Sequence, residues 1–268
     1  MKVARIGAIT LLLLVALASV IAGCLAPSGY ARQFRDIPDA PPSRQHWLGT
    51  DDLGRDRFAR VLYGTRVSLL LAPAAALLAS FLAALIGGIA GLAGGRLQTI
   101  VMAGTDLFLS LPWLFLLITV RAVMPLNVSP LTSVVITFAM LGSLGWAAAA
   151  RVICADARSL HNSDFLLLAR ASGISGWRLV SRHLVPNLMP VIYAQFWLSV
   201  PVFILTEANL GILGLGVSEP LPSWGSLLRE LESYSSISSN PWQFVPLLLL
   251  LAVVSCFHLI VVDRELPA

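Results

Sequence analysis

The chain has 268 residues, of which 57% are hydrophobic and 12% are charged. Soluble domains are about 45–50% apolar and about 25% charged, so this composition excludes an ordinary soluble enzyme. The formal net charge is +4, and Lys2 is the only lysine. A P-loop needs a lysine beside the nucleotide phosphates, so the sequence predicts that this chain does not hydrolyse ATP itself.

Six apolar stretches approach or exceed the roughly 20 residues that a transmembrane helix needs. They cover residues 6–26, 67–95, 99–120, 131–150, 188–206 and 242–262. The third stretch is the weakest of the six, because Asp106 interrupts it and the apolar remainder is too short to cross alone. The sequence therefore predicts an all-α integral membrane protein with six transmembrane helices.

These stretches divide the chain into parts. We expect a first transmembrane helix (1–26), an extracytoplasmic segment (27–66), a five-helix core (67–262) with a hydrophilic loop at 151–186, and a short tail (263–268). The loop, the extracytoplasmic segment and residues 219–241 are the only parts large enough to meet soluble partners.

The charges around the spans predict the orientation. Cations divide evenly between the two sides, but the positive-inside rule gives most weight to short loops and to the first helix. Lys2 and Arg5 before the first span, and five arginines after the fourth, favour cytosolic N- and C-termini. Residues 21–24 also resemble a lipoprotein cleavage box ending at Cys24. A retained first helix is the preferred interpretation, because a one-helix anchor would be redundant with five further spans.

Cysteine and histidine spacing predicts neither a disulfide framework nor a metal site. The three cysteines are far apart in the sequence, and the four histidines lack zinc-ligand spacing and companion cysteines. We therefore expect no metal ligand in this chain. We also expect no catalytic residue, no bound cofactor and no nucleic-acid partner.

Small and acidic residues within the spans suggest further roles. Gly87, Gly91 and Gly95 repeat every four residues, which predicts close helix packing, with a moving helix interface as the alternative. Asp106 and Glu207 should face protein or water, because a charge at the bilayer centre costs about 2.5–3.5 kcal/mol on insertion scales. We expect paired or capping roles for these acids, and proton coupling in a secondary carrier is the alternative.

The loop after the fourth span is predicted to form two short helices with a break. Ser163 or Asp164 is placed to cap the first helix, and Gly173 supplies the positive φ that ends it. Ser175 is placed to cap the second helix and Pro186 to close it.

Trp177 and Arg178 follow the break in this loop. An exposed tryptophan beside an arginine suits an anchor in a partner's groove. The alternative is a helix pair that lies on lipid headgroups, with the tryptophan in the aromatic belt.

The motifs in this loop and upstream of it resemble those of a known family. The pattern A-R-A-x-G-x-x-x-W-R at 169–178, followed by R-H-x-x-P-N at 182–187, is similar to the EAA loop of binding-protein-dependent ABC importer permeases. Residues 46–56 and 60–69 resemble H-P-L-G-T-D-x-x-G-R-D and R-V-L-Y-G-A-R-x-S-L of the dipeptide/oligopeptide/nickel subfamily, in its C-type subunit. Further matches are E-A-x-L at 207–210, L-G-L-G at 213–216 and P-S-W-G at 222–225. One departure is that Leu167 stands where the family has an acid.

The resemblance implies a type I importer permease in the bacterial inner membrane that carries peptides or a related small solute. It also implies a second permease subunit, two cytosolic ATP-binding subunits that bind ATP and Mg²⁺, and an extracytoplasmic solute-binding protein. The loop would form a cytosolic coupling helix, whose small residues would let it sink into a cleft of the ATPase while Arg170 and Arg178 pair with acids on the rim. The residues implied in coupling are Ala169, Arg170, Ala171, Gly173, Trp177, Arg178, His183 and Pro186.

Overall fold

A computed structural model describes residues 2–26, 28–123, 129–174, 176–232 and 241–265. The described residues are mostly helical, and among them only isolated β-bridges occur outside helices and turns. The α-helices are α1 (Lys2–Val20), α2 (Ala22–Leu25), α3 (Arg57–Ala93), α4 (Gly95–Ser110), α5 (Trp113–Val123), α6 (Pro130–Leu144), α7 (Ala147–His161), α8 (Asp164–Ala171), α9 (Gly176–Leu179), α10 (Val185–Ile212), α11 (Trp224–Arg229) and α12 (Val245–Glu265). A π turn, Val180–Leu184, joins α9 to α10, and short 3₁₀ turns cover Glu230–Glu232 and Pro241–Phe244.

Among the described residues, five helical stretches are long and apolar enough to cross a membrane, and a bent pair brings the number to six if it counts as one span. The continuous stretches are Val3–Val20, Arg57–Ala93, Pro130–His161, Gly176–Ile212 and Pro241–Val261. The predicted all-α membrane fold is confirmed. Part of the predicted tail, residues 266–268, lies outside the described residues.

The predicted third span is a bent pair of helices rather than one straight helix. Helix α4 ends at Ser110, and α5 begins at Trp113 with a change of direction of 75°. Leu111 is extended, with φ −76° and ψ 130°, as expected for a residue that precedes a proline. Pro112 therefore explains why α4 stops within the apolar stretch.

The predicted second short helix of the loop is the beginning of the fifth span, and the prediction that Pro186 ends it is wrong. Residues Gly176–Ile212 form one helical stretch. Within it the Val185 amide donates to the Val180 carbonyl, which is the longer hydrogen bond of a π turn. Pro186 directly follows this π turn, where the regular i→i−4 hydrogen-bond pattern is already interrupted and a residue without an N–H fits. Ser175, the predicted cap, lies outside the described residues.

The chain divides into two compact units. One comprises Met1–Pro73, Ile118–Phe138 and Val200–Ala268, and the other comprises Ala74–Leu117 and Ala139–Ser199. In the first unit α1 packs along α12, where Ala8 meets Cys256 and Ile260. In the second unit the later part of α3 packs on α7, where Ala83 meets Ala150 and Ile153.

Gly87 and Gly91 lie at the contact between α3 and α7. A Cβ atom on Gly87 would collide with the Ala150 carbonyl, and one on Gly91 would stand 2.5 Å from the Cys154 carbonyl oxygen. Gly95 has a different role from the predicted one, because nothing lies within 4 Å of its Cβ position. Its φ of +52° lies in the left-handed region, so glycine is needed there for the turn between α3 and α4.

Candidate functional site

The candidate site is here called the EAA-like segment (residues 157–188). It comprises the end of α7, helices α8 and α9, the π turn and the start of α10. Leu166 and Ala169 are three residues apart and share one face of α8. Both are buried, in a cluster completed by Ala157, Leu179, Leu184 and Leu188. Ala169 therefore serves the packing of this chain itself, whereas the resemblance implied that its small side chain faces a partner's cleft.

Gly173 fixes where α8 ends. Its φ is +81°, which confirms the predicted positive φ. The Gly173 amide donates to the Arg170 carbonyl at 2.9 Å, and the Ile174 amide donates to the Ala169 carbonyl at 3.1 Å. Ile174 also packs against the cluster beneath α8. These two hydrogen bonds and the apolar contact define a Schellman motif, so the exit of the chain from α8 is tightly specified.

The start of α8 differs from the predicted cap. Ser163 occupies the N-cap position, but its side chain makes no capping hydrogen bond to α8. Its hydroxyl instead donates to the Leu160 carbonyl at 2.6 Å, at the end of α7. Asp164 is the first residue of α8, where an acid interacts favourably with the helix dipole.

The outer surface of the EAA-like segment exposes several large apolar side chains. Phe165, Leu167 and Leu168 on α8 are 50%, 51% and 68% exposed, and Trp177 on α9 is 78% exposed. Ala171, Gly173, Arg178 and Pro186 are exposed as well. Exposed apolar side chains of this number on a short element are typical of a surface that another molecule covers.

Arg170 binds within the chain, and its side chain already has a partner. Its Nη2 atom lies 3.1 Å from Nδ1 and 3.2 Å from Nε2 of His161. Close by, the rings of Phe165 and His183 meet edge to face, with centroids 5.5 Å apart. The contact between Arg170 and His161 is exposed, so an acid on a partner would have to replace it.

The two intramembrane acids each interact inside their own unit. In the second unit the Asp106 Oδ1 atom lies 2.8 Å from Nη1 of Arg151, and both side chains are about half exposed. In the first unit Glu207 is fully buried, and the Ser68 hydroxyl donates to its Oε2 atom at 3.4 Å. Neighbouring Gly225 packs so closely that a Cβ atom there would stand 3.0 Å from Glu207 Oε1.

A network of buried charges lies in residues 28–60 and 219–230, here called the polar cap. Arg55 Nε lies 2.6 Å from Asp51 Oδ2, and Arg60 Nη2 lies 3.0 Å from Glu219 Oε1. Asp51 and Arg60 are fully buried, and a second buried pair joins His46 Nδ1 to an Asp56 carboxylate oxygen at 3.0 Å. These charges are bound within the chain, which favours a role in holding this stretch together over a direct contact with a partner.

The arginines of the polar cap shift the pKa of Glu219. Burial alone would raise the pKa of this carboxyl group, but the hydrogen bonds and charges of Arg60 and Arg55 outweigh burial and lower the pKa. The ionised form of Glu219 is therefore the one that the folded chain stabilises. Sequence reasoning missed this acid, because about 160 residues separate it from its arginine partners.

Comparisons with known proteins agree with these observations. The family described as binding-protein-dependent transport system inner membrane component matches residues 64–264. The dipeptide transport system permease protein DppC of Bacillus subtilis (strain 168) is 34% identical over 241 residues, covering 90% of this chain and 72% of that protein. The oligopeptide transport system permease protein OppC of Escherichia coli (strain K12) is 32% identical over 260 residues, covering 96% of this chain and 83% of that protein.

Proposed function

The chain belongs to the family of inner membrane components of binding-protein-dependent transport systems, and from this premise we propose how it works within an ATP-driven importer. It is a multi-pass membrane permease subunit of the ABC importer type. In our proposal it forms part of the translocation pathway for peptides or a related small solute. The names of its dipeptide and oligopeptide permease relatives support this choice of solute.

The observation that carries the proposal is the construction of the EAA-like segment. One face of α8 is anchored by Leu166 and Ala169, while Leu167 and Leu168 are exposed. A helix that is rigidly held on one side and apolar on the other is suited to transmit a push from a bound partner. In our proposal this partner is a cytosolic ATP-binding subunit, and α8 is the coupling helix.

The rest of the assembly follows from this role. We propose a heterodimer with a second permease subunit, two ATP-binding subunits that bind ATP and Mg²⁺, and an extracytoplasmic solute-binding protein. The complex would reside in the bacterial inner membrane, with both termini of this chain in the cytosol. Arg158, Arg170, Arg178 and Arg182 would then lie on the cytosolic side, in accord with the positive-inside rule.

A secondary carrier that uses Asp106 and Glu207 is not favoured. The relatives are permease components of transport systems, and each acid has partners that explain it locally. Asp106 pairs with Arg151, and Glu207 accepts a hydrogen bond from Ser68. The two acids therefore have structural roles in our proposal.

Two experiments test the proposal. Purification of the tagged chain from cross-linked native membranes should recover an ATP-binding subunit and a second permease, identified by mass spectrometry. Recovery of the chain alone, without an ATPase, would contradict the importer mechanism.

The second experiment replaces Gly173. Gly173→Trp places a bulky side chain beside the exposed face of α8 and should uncouple ATP hydrolysis from solute uptake in proteoliposomes. Gly173→Ala carries the same backbone strain without the bulk, so a difference between the two variants reports contact with the partner. Normal uptake by Gly173→Trp would overturn the coupling assignment.

A further inference from the structure

An open cavity of about 660 Å³ lies in the second unit, beside the start of α4 and the end of α7. Its polar lining includes Arg96, Gln98 and Thr99 of α4 and Arg158 of α7, and its apolar lining includes Ile100 and Met102. The lining thus combines two arginines with apolar side chains. Its lining includes none of the exposed apolar residues of α8 and α9.

The two arginines of the cavity lack neutralising partners. Both are exposed, and in the part of the chain that the structure describes neither guanidinium forms an ion pair or a hydrogen bond. The same two helices show the opposite arrangement at Arg151, whose guanidinium pairs with Asp106 at 2.8 Å. The first turn of α4 contains no acid either. Two uncompensated positive charges therefore line one cavity.

The position of the cavity along the helices indicates its depth in a membrane. Two apolar spans, Arg57–Ala93 and Pro130–His161, end close to it in the sequence. Cations at the end of a span lie at the level of the lipid headgroups. Ile100, about one turn further along α4 than Arg96, also lines the cavity and is 68% exposed.

We propose that this cavity binds the phosphate headgroup of an anionic membrane phospholipid. Arg96 and Arg158 contact the phosphate, since guanidinium groups match phosphate oxygens in charge and geometry. The Gln98 Nε2 atom donates to Cys154 Sγ at 3.7 Å, and its second N–H supplies a further donor to the headgroup. The acyl chains lie along Ile100 and Met102. Basic pockets between membrane helices are known to suit such headgroups. The proposal goes beyond the coupling role and does not depend on it, because it requires no ATPase.

The test measures lipid binding to the full-length chain, purified with the subunits that accompany it. Native mass spectrometry during titration with phosphatidylglycerol gives the dissociation constant of the first bound lipid, and phosphatidylcholine serves as the zwitterionic comparison. The wild type should prefer phosphatidylglycerol. Arg96→Gln and Arg158→Gln should each weaken binding about fivefold, and the double variant about 25-fold.

Matched variants separate this site from general attraction to anionic lipid. Arg96→Lys retains the charge but loses the planar guanidinium, so its affinity should lie between those of the wild type and Arg96→Gln. Arg35→Gln removes an exposed arginine of the predicted extracytoplasmic segment and should leave the affinity unchanged. An unchanged affinity in the double variant would overturn the proposal, as would an equal loss in Arg35→Gln.

A second arm distinguishes a lipid from a soluble anion. Inorganic phosphate is added to the protein in phosphatidylcholine nanodiscs, and its binding is compared with that of phosphatidylglycerol. Weak phosphate binding together with retained lipid selectivity supports the lipid headgroup. Phosphate binding that depends on Arg96 and Arg158, without selection of phosphatidylglycerol, would assign the cavity to a soluble phosphate and contradict the proposal.

Discussion

The EAA-like segment and the polar cap differ in which side chains they bury and which they expose. The polar cap is rich in charges, yet Asp51 and Arg60 are buried and paired within the chain. In the EAA-like segment, by contrast, large apolar side chains such as Leu168 and Trp177 are exposed. A hydrophilic sequence therefore does not by itself mark the surface that partners contact. What matters is which side chains remain unsatisfied once the chain has folded.

The largest effect is expected from breaking the polar cap at Arg60. This side chain is 1% exposed and lies near Asp51, Glu219 and Glu230. Arg60→Gln removes the most buried cation of this network and leaves Arg55 and Arg57 to neutralise its carboxylates. Removal of one partner from a buried ion pair typically costs about 3–5 kcal/mol. The expected result is a large fall in the free energy of unfolding, measured by denaturant titration in detergent. Arg35→Gln, an exposed arginine, should change it by less than about 0.5 kcal/mol, and equal effects would contradict the closed network.

A smaller effect is expected where α3 packs on α7. Gly91→Ala places a Cβ atom 2.5 Å from the Cys154 carbonyl oxygen, and overpacking of this kind costs about 1–3 kcal/mol. Gly88→Ala, on the same helix with nothing within 4 Å, should be neutral or stabilise slightly. The midpoint of thermal unfolding of the two variants gives the comparison. Equal midpoints would mean that the α3–α7 contact is looser than the structure shows.

Gly173→Ala should loosen the EAA-like segment without affecting the polar cap. A residue with a Cβ atom in the left-handed region costs about 1–2 kcal/mol, whereas asparagine tolerates this conformation better. Amide hydrogen exchange at positions 173 and 174 should therefore accelerate more in Gly173→Ala than in Gly173→Asn. Unchanged exchange in both variants would argue against the Schellman end of α8.

The smallest effect concerns the pH dependence of the polar cap. The pKa of Glu219 is lowered in the folded chain, so its stabilising contribution is present above the ordinary carboxyl pKa of 4.5 and is lost as the pH falls through the folded value. The side chain is 51% exposed, which limits the effect to less than about 1 kcal/mol. Glu219→Gln should flatten the pH dependence of thermal unfolding on the acidic side. An identical pH profile for the variant and the wild type would refute this contribution.

Local patterns were sufficient for some features of the fold. Uninterrupted apolar runs predicted the spans, because a run of about 20 apolar residues is typical of a transmembrane helix. Gly173 was identifiable as a helix end, since the left-handed conformation after a helix favours glycine. The weak third stretch also held a signal, as Pro112 lies where α4 and α5 separate.

Other features depend on contacts that no local pattern contains. Arg60 and Glu219 are 159 positions apart, and their pairing emerges only when the chain folds. Pro186 suggested a helix end because the sequence does not reveal the π turn before it. Ala169 matched a motif for a partner contact, but the spacing of Leu166 and Ala169 on one face already favoured burial, and the structure places both in the core.

Site-specific photo-cross-linking tests the central claim most directly. A photoreactive phenylalanine analogue replaces Trp177 in the EAA-like segment or, as the matched control, Trp47, which is also exposed at 55%. Irradiation of native membranes should link position 177 to an ATP-binding subunit and should not do so from position 47. Links from position 177 to lipid alone, or links to the ATPase from position 47, would contradict the assignment of α8 and its surroundings as the coupling surface.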